Sequence, residues 1–310
     1  MRIVFWGTPQ FADTVLLALL EAGRHVVGVV TQPDRPAGRG RVTQPPPVKL
    51  TAEQAGVALL QPERPQGPDF MDSLRALEPD ISVVAAYGHI LRREVLDLPP
   101  LGSFNVHASL LPKLRGAAPV NWAIIEGHNE TGVTIMRMVE RLDAGPMLRR
   151  APYAIASDST AGRLAEQLAE LGARTLLDAL ALIEAGTAVE EPQDEEAATY
   201  APKLKPEDVR IDWTRSAAEL ERWIRGSDPT PGAWSQLGDL RVRMFVPRIA
   251  GESAEAAPGA IVRADPRSGL EVATGSGSLT IGQVQPAGKR RMEAVEWIRG
   301  RGVASGQRFS

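Results

Sequence analysis

The sequence predicts an α/β fold class in two parts, a Rossmann-like doubly wound N-terminal domain and a C-terminal OB-like β-barrel domain. Three observations predict it. Short, continuous apolar runs alternate with helical patterns over the first half of the chain, as in a mostly parallel sheet covered on both faces. Beyond Gly186 the pattern changes to short strand candidates separated by turn signals. With 310 residues, the chain exceeds a typical single core and suits two domains.

The elements follow in order. Residues 2–6 form an apolar run that ends at Gly7-Thr8-Pro9, and a helical pattern through Val15, Leu16, Leu19 and Leu20 stops at Gly23. Residues 26–31 are again strand-like, which completes a strand–turn–helix–strand unit. Further strands are expected at 57–60, 81–86 and 103–107, with helices near 48–55 and 70–77. Residues 131–138 and 147–155 are expected as two strands with a tight connection. A long amphipathic helix over 160–185 carries Leu164, Leu168, Leu171, Leu176 and Leu180 at helical spacing, with Ser157, Asp158 and Ser159 where an N-cap belongs. The acidic, Pro-containing stretch 190–196 is expected to be a solvated linker. A helix at 217–225 precedes strands at 241–249, 260–263, 270–273 and 279–285, and a five-stranded barrel is expected. The expected division is 1–189, a linker at 190–205, and 206–310.

Composition sets limits. Hydrophobic residues make up 43% and charged residues 24%, the balance of an ordinary soluble globular protein. No apolar run approaches the ~20 residues needed to span a bilayer. The N-terminus enters a strand at once, so no signal peptide is expected. Cysteine is absent, which excludes disulfides, thiolate metal sites and a cysteine nucleophile, and fits a cytoplasmic protein. The net charge of −3 argues against a uniformly basic nucleic-acid binder. Residues 204–310 hold 16 basic and 13 acidic residues, a balance of +3, against 19 and 25 before them, a balance of −6. This asymmetry is compatible with an anionic partner at the C-terminal part, but alone it is better read as ordinary fluctuation.

The turn at Gly7 lacks the second glycine of a dinucleotide fingerprint, and Thr31-Gln32 closes the second strand where an acidic residue would stand. A nicotinamide cofactor is therefore not expected, and the turn reads as structural. Residues 102–119 are more informative. Asn105 and His107 lie two apart near a strand end, so they project to one face, at the edge where open α/β sheets place their sites. An amide and an imidazole side by side suit a reaction that develops charge on a carbonyl oxygen. Taken alone, the pair is better explained as a satisfied histidine and a turn-capping asparagine. Asp143, before Gly145-Pro146, is ordinary turn chemistry unless it lies near His107. His89 could line the same edge; His25 and His128 read as surface or packing residues. No metal site is expected. The loop 32–47 interleaves Arg35, Arg39 and Arg41 with glycines. Arginines there suit phosphates or bases, although a solvated loop explains them as well or better.

Several long motifs add up to a resemblance. Residues 104–112, Arg115–Pro119, Thr131–Thr134 and Leu142–Pro146 are similar to the signature of the folate-dependent formyltransferases. Residues 31–40 and 45–49 resemble the tRNA-contacting loop of the methionyl-tRNA formyltransferase family, and the later motifs at 210–213, 231–234, 258–259, 285–289 and 299–301 resemble its C-terminal barrel. The resemblance implies a formyltransferase catalytic domain over 1–189 and a tRNA-contacting barrel over 206–310. It implies 10-formyltetrahydrofolate as donor, without a metal, and initiator methionyl-tRNA as acceptor. It places Asn105, His107 and Asp143 on the catalytic triplet, and Ser109, Leu110, Leu111 and Pro112 on the folate-binding loop. Arg35, Arg39 and Arg41 fall on the tRNA-binding loop. Arg141 and His89 depart from the family's pattern. No obligate protein partner is evident, and a monomer is expected. Two rivals remain at this point: a formyltransferase acting on a small amine, such as a purine precursor or an amino sugar, and a non-catalytic RNA-binding module.

Overall fold

The computed structural model describes residues 1–37, 42–251 and 256–310. The chain divides into two units: residues 1–119, 130–154 and 165–202 form the first, and residues 120–129, 155–164 and 203–310 the second.

The first unit begins with β1 (Ile3–Gly7), α1 (Gln10–Glu21) and β2 (Val26–Val30), then a small ribbon of β3 (Arg35–Ala37) and β4 (Val42–Gln44). It continues through α2 (Pro47–Gln54), β5 (Leu59–Leu60), α3 (Pro68–Ala76), β6 (Ile81–Ala85), α4 (Arg93–Leu96) and β7 (Ser103–His107). After α5 (Pro119–Ile125), which from residue 120 belongs to the second unit, come β8 (Glu130–Arg137), β9 (Met147–Ala154) and the long α6 (Ala161–Glu184), which enters the first unit at residue 165. Seven strands form one sheet in the order β5-β2-β1-β6-β7-β8-β9. The first five are parallel, and β8 and β9 run antiparallel to their neighbours. The chain steps outward from β1 to β5, then returns to lay β6 against the other side of β1, so the sheet is doubly wound.

Every residue of β1 and β6 is buried, which is why these strands read as continuous apolar runs and not as alternating ones. On one face Val4, Trp6 and Val84 pack with Met71 and Leu74 of α3. The Trp6 indole N–H donates to Ser82 Oγ at 3.2 Å, so its polar edge is satisfied inside the core. The expected stripe of α6 is buried at Leu164, Leu168, Leu176 and Leu180, and half-buried at Leu171.

Two expectations need correction. The β8–β9 connection is not tight: it is a loop over 138–146, with Asp143 at φ 46° and the Ala144 N–H donating to the Arg141 carbonyl at 3.3 Å. The acidic stretch 190–196 is not freely solvated either. Glu190 chelates Arg137, Glu191 exchanges backbone hydrogen bonds with Met147 at 2.8 Å, and Gln193 is only 9% exposed. Glu190, Glu191 and Glu195 pair with arginines of the first unit, while Asp194 and Glu196 stay exposed, so part of the charge that suggests solvent serves as ion pairing.

The second unit contains α7 (Ala217–Ser227), β10 (Trp234–Leu237), β11 (Leu240–Gly251), β12 (Ile261–Asp265), β13 (Gly269–Ala273), β14 (Ser278–Pro286), β15 (Met292–Glu293) and α8 (Ala294–Arg299). Ser216 and Glu219 cap α7 reciprocally, each side chain satisfying the other's backbone N–H. Among the described residues the strands form an antiparallel sheet in the order β10-β11-β14-β13-β12, with β15 added beside β14, six strands where five are expected. Trp234–Leu237 escapes sequence reading because its two bulky apolar side chains stand three apart, which gives no alternation.

The two edges of this sheet are joined by the last residues of the sequence. Gln236 and Ser310 exchange backbone hydrogen bonds at 3.1 and 2.9 Å on the β10 side. On the other side the Phe309 N–H donates to the Gly259 carbonyl at 2.8 Å, and the Ile261 N–H to the Gln307 carbonyl at 2.8 Å. Phe309 stacks on Trp213 in the core, with ring centroids 5.9 Å apart. Residues 307–310 thus act as a closing stave, which makes the sheet a barrel. Among the described residues no helix is long and apolar enough to cross a membrane.

Candidate active site

The site is assembled around the end of β7, which lies between β6 and β8: Val84 pairs with Asn105, and Thr134 with His107. Strand alternation turns Asn105 and His107 to the same face. His107 is 5% exposed, and its Nε2 lies 3.0 Å from the Leu114 carbonyl oxygen. A carbonyl can only accept, so Nε2 carries a proton and Nδ1 is the nitrogen left for chemistry. Nδ1 faces Asp143 Oδ2 at 3.7 Å, longer than a hydrogen bond but close enough to tighten when a substrate arrives. The same Oδ2 accepts the Gly116 N–H at 2.8 Å, which anchors the carboxylate. The structure therefore brings His107 and Asp143 together across the loop that spacing alone could not fold.

Local sequence explains this geometry. At Gly145 an added Cβ would lie 1.8 Å from the Arg137 carbonyl oxygen, so only glycine lets the loop return against β8. Gly116, at φ +119°, takes a backbone conformation that other residues rarely adopt, and this aims its N–H at Asp143.

Arg115 carries the most buried guanidinium of the site, at 0% exposure. It donates to Gln193 Oε1 at 3.0 and 2.8 Å and to the Glu195 carboxylate at 3.0 and 3.1 Å. Glu195 also pairs with Arg141. Hydrogen bonding to Arg115, then to Arg141, holds the Glu195 carboxyl below the usual carboxylate range, and Glu195 in turn raises Arg115. A lowered folded pKa means that the stabilisation is complete above the ordinary value of 4.5 and is lost as pH falls through the lower folded value. Melting temperature should therefore fall over that acid window in the parent protein, and Glu195→Gln should lack this component while sitting lower at neutral pH. A melting series against pH for both proteins checks it; parallel curves would remove the pair from the acid response.

The segment after β7 is held from beneath. Thr134 Oγ1 donates to the Ser109 carbonyl at 2.7 Å and accepts the Leu111 N–H at 3.1 Å, and Ser109 Oγ donates to the Lys113 carbonyl at 2.6 Å. Ser109 and Leu111 are buried, while Leu110 and Pro112 are half-buried and left as the accessible apolar surface of the loop. At Gly7 an added Cβ would meet Ala12 Cβ at 2.5 Å, so the turn has a packing reason to be glycine. Nearby, Thr8 and Gln32 both donate to the Tyr87 carbonyl, at 3.1 and 2.8 Å. Burial pushes the Tyr87 phenol up to about 12. His89 lies against the Tyr87 ring at 5.5 Å, and its Nε2 is buried without a hydrogen-bond partner among the described residues. His25 is exposed, and His128 pairs with Glu126 at 2.9 Å.

Arg35 is exposed on β3, opposite Gln44. Arg39 and Arg41 lie outside the described residues. The base of their loop is fixed by a group that sequence reasoning misses: Asp34 accepts from Lys49 Nζ and Gln61 Nε2, each at 2.8 Å. Lys49, then Gln61, holds the Asp34 carboxyl below its ordinary value. An Asp shortly after a strand, with a Lys in the following helix, is the available signal. Among the described residues no group of three or more His, Asp or Glu side chains could hold a metal ion.

A doubly wound unit that brings a loop carboxylate to an imidazole beside an amide at one strand end, in a chain that also carries a small barrel, fits a group-transfer enzyme. The chain belongs to the formyl transferase family, whose sequence model matches residues 1–180, with the model of its C-terminal domain matching residues 203–302. It is 48% identical over 300 residues to a methionyl-tRNA formyltransferase of Desulfotalea psychrophila, covering 97% of this chain and 93% of the relative. It is 49% identical to that of Halorhodospira halophila, covering 99% and 98%. The fold also superposes on HypX from Aquifex aeolicus, solved in complex with tetrahydrofolic acid, with a TM-score of 0.68 at 20% identity over 96% of this chain and 46% of HypX.

Proposed function

We propose that this chain transfers the formyl group of 10-formyltetrahydrofolate to the α-amino group of methionine on initiator methionyl-tRNA, acting as a cytoplasmic monomer in translation initiation. The observation that carries the chemistry is the approach of His107 Nδ1 to Asp143 Oδ2, at 3.7 Å, beside Asn105 on the same strand face. Full-length identity to methionyl-tRNA formyltransferases supports the acceptor over a small amine.

The donor presents its formyl group on a nitrogen attached to an aromatic ring, which leaves more readily than an alkylamine. The acceptor is an α-amine, with an ordinary pKa of about 7.7–8.0, so a neutral fraction is present near neutrality. Its nitrogen attacks the formyl carbon, the new C–N bond forms, and the carbonyl oxygen becomes an oxyanion. Asn105 donates to that oxygen, and His107 does so through Nδ1 once that nitrogen is protonated. Asp143 orients His107 and accepts the proton lost by the amine, directly or through water. When the bond to the donor nitrogen breaks, the proton that Asp143 took from the amine passes to His107 Nδ1, which faces that carboxylate, and from there to the leaving nitrogen, while Nε2 stays engaged by Leu114. The loop of Ser109, Leu110, Leu111 and Pro112 borders the donor, with Leu110 and Pro112 as its accessible face.

Incubation with 10-formyltetrahydrofolate and charged initiator tRNA, read by mass spectrometry, tests the reading. Formyl-methionine on the tRNA is the expected product; formylation of a small amine alone would shift the assignment to the rival acceptor, and no product with either would leave an RNA-binding module. The acceptor side makes its own prediction. Arg35, Arg39 and Arg41 hold the acceptor stem, so removing the charges of Arg39 and Arg41 raises the KM for tRNA. The slope of log affinity against log salt should become shallower by about one for each arginine replaced. An unchanged KM and slope would mean that the loop is only solvated.

A further inference from the structure

We infer that Gln193 is a positioning residue for the reaction, holding the Asp143 loop in its working shape. The inference rests on the proposed role of Asp143 and adds a residue to it from a segment between the two matched stretches, 1–180 and 203–302.

The bonding pattern around Gln193 is closed. Its Oε1 accepts from Arg115 at 3.0 and 2.8 Å, and its Nε2 donates to the Asp143 carbonyl at 2.8 Å and the Gly145 carbonyl at 2.7 Å. A guanidinium only donates and a carbonyl only accepts, so the orientation of this amide is fixed by its partners. No other standard side chain of that length offers an acceptor on one side and two N–H donors on the other. The ring then closes through Gly116, the neighbour of Arg115, whose N–H is taken by the Asp143 carboxylate. Asp143 is thus gripped twice, by its side chain from Gly116 and by its own carbonyl from Gln193.

This second grip acts where the backbone is strained. Asp143 sits at φ 46°, a conformation that is strained for a non-glycine residue unless neighbours impose it. The two carbonyls bound by Gln193 flank that residue on its C-terminal side, so they hold the turn that aims the carboxylate at His107. At 9% exposure Gln193 is largely shielded from water, and water is poorly placed to substitute for it. The segment that carries it is tied on beyond as well: the Leu114 N–H donates to Thr199 Oγ1 at 2.9 Å, and the Arg115 N–H to the Thr199 carbonyl at 2.8 Å.

Gln193→Glu separates the two sides of the residue. It keeps an acceptor for Arg115, now charge-assisted, and removes both N–H donors to the Asp143 loop. Misplacing a reacting group by about 1 Å can lower turnover roughly 100-fold, so Gln193→Glu should lower kcat by roughly 10- to 100-fold. KM for the folate donor and for charged tRNA should stay within about twofold of the parent. In an Asp143→Asn background the same substitution should have no further effect on kcat, because the group it positions is already disabled. Gln193→Met, apolar and of similar length, gives the same cycle if the glutamate variant does not fold. An unchanged kcat would overturn the inference. So would the same fold-loss in both backgrounds, which would mean that Gln193 acts independently of Asp143. If Asp143→Asn alone retained the parent kcat, the role of Asp143 would fall first and the inference with it. Failure of the cycle alone would leave Asp143 in place and dismiss only Gln193.

Discussion

Replacement of Asn105 or of His107 by alanine is expected to lower kcat by ~10²–10³, the usual loss when one oxyanion donor is removed. Binding of tRNA should survive in both, since neither side chain lies on the arginine loop. The two variants differ in one respect. His107 Nε2 satisfies the buried Leu114 carbonyl, so His107→Ala also leaves an acceptor without its partner, at a cost of ~1–3 kcal/mol in stability. The Asn105 side chain holds none of the hydrogen bonds described above, so Asn105→Ala is the cleaner probe of chemistry. Steady-state kinetics with saturating donor, accompanied by melting curves, separates the effects. Near-parental kcat in both variants would sink the assignment, whatever the melting curves say.

Phe309→Ala should produce the largest loss of stability. The ring is 1% exposed and stacked on Trp213, and truncation of a buried Phe typically costs ~3–5 kcal/mol. The position adds a second reason: the Phe309 N–H is one of the bonds that join the open edges of the barrel. A loosened residue 309 exposes strand edges on both sides, so loss of packing and loss of closure reinforce each other. Domains of about 100 residues shift by roughly 4–8 °C for each kcal/mol, so the transition of the barrel should move well clear of the parent in calorimetry. A melting temperature within a degree of the parent would show that the closing stave contributes nothing.

Much of the fold is legible because local patterns and tertiary burial agree. The apolar runs of β1, β2 and β6 are buried on both faces, and the stripe of α6 points inward where its spacing predicts. The proposed catalytic pair on β7 is legible for the same reason, since alternation alone puts Asn105 and His107 on one face. Reading fails where a segment takes its structure from distant partners. Gln193 is 78 residues from Arg115 and 50 from Asp143, and nothing local marks a glutamine among acidic residues as buried. The approach of His107 to Asp143 depends on a loop whose return is set by Gly145 and Gln193, not by residue count. The closing stave fails likewise: residues 307–310 have no strand pattern of their own and are ordered by edges some fifty and seventy residues earlier.

The fastening of residues 190–201 also bears on how the catalytic unit can be cut out of the chain. A fragment ending near residue 180, where the family match stops, would retain the whole sheet and all three proposed catalytic side chains. It would also strip a buried guanidinium of both its acceptors and release the Asp143 turn. Such a fragment would be a poor crystallisation target or assay surrogate, despite looking complete by alignment. Carrying the cut to residue 202 keeps Gln193, Glu195 and Thr199, and with them the scaffolding of the Asp143 loop.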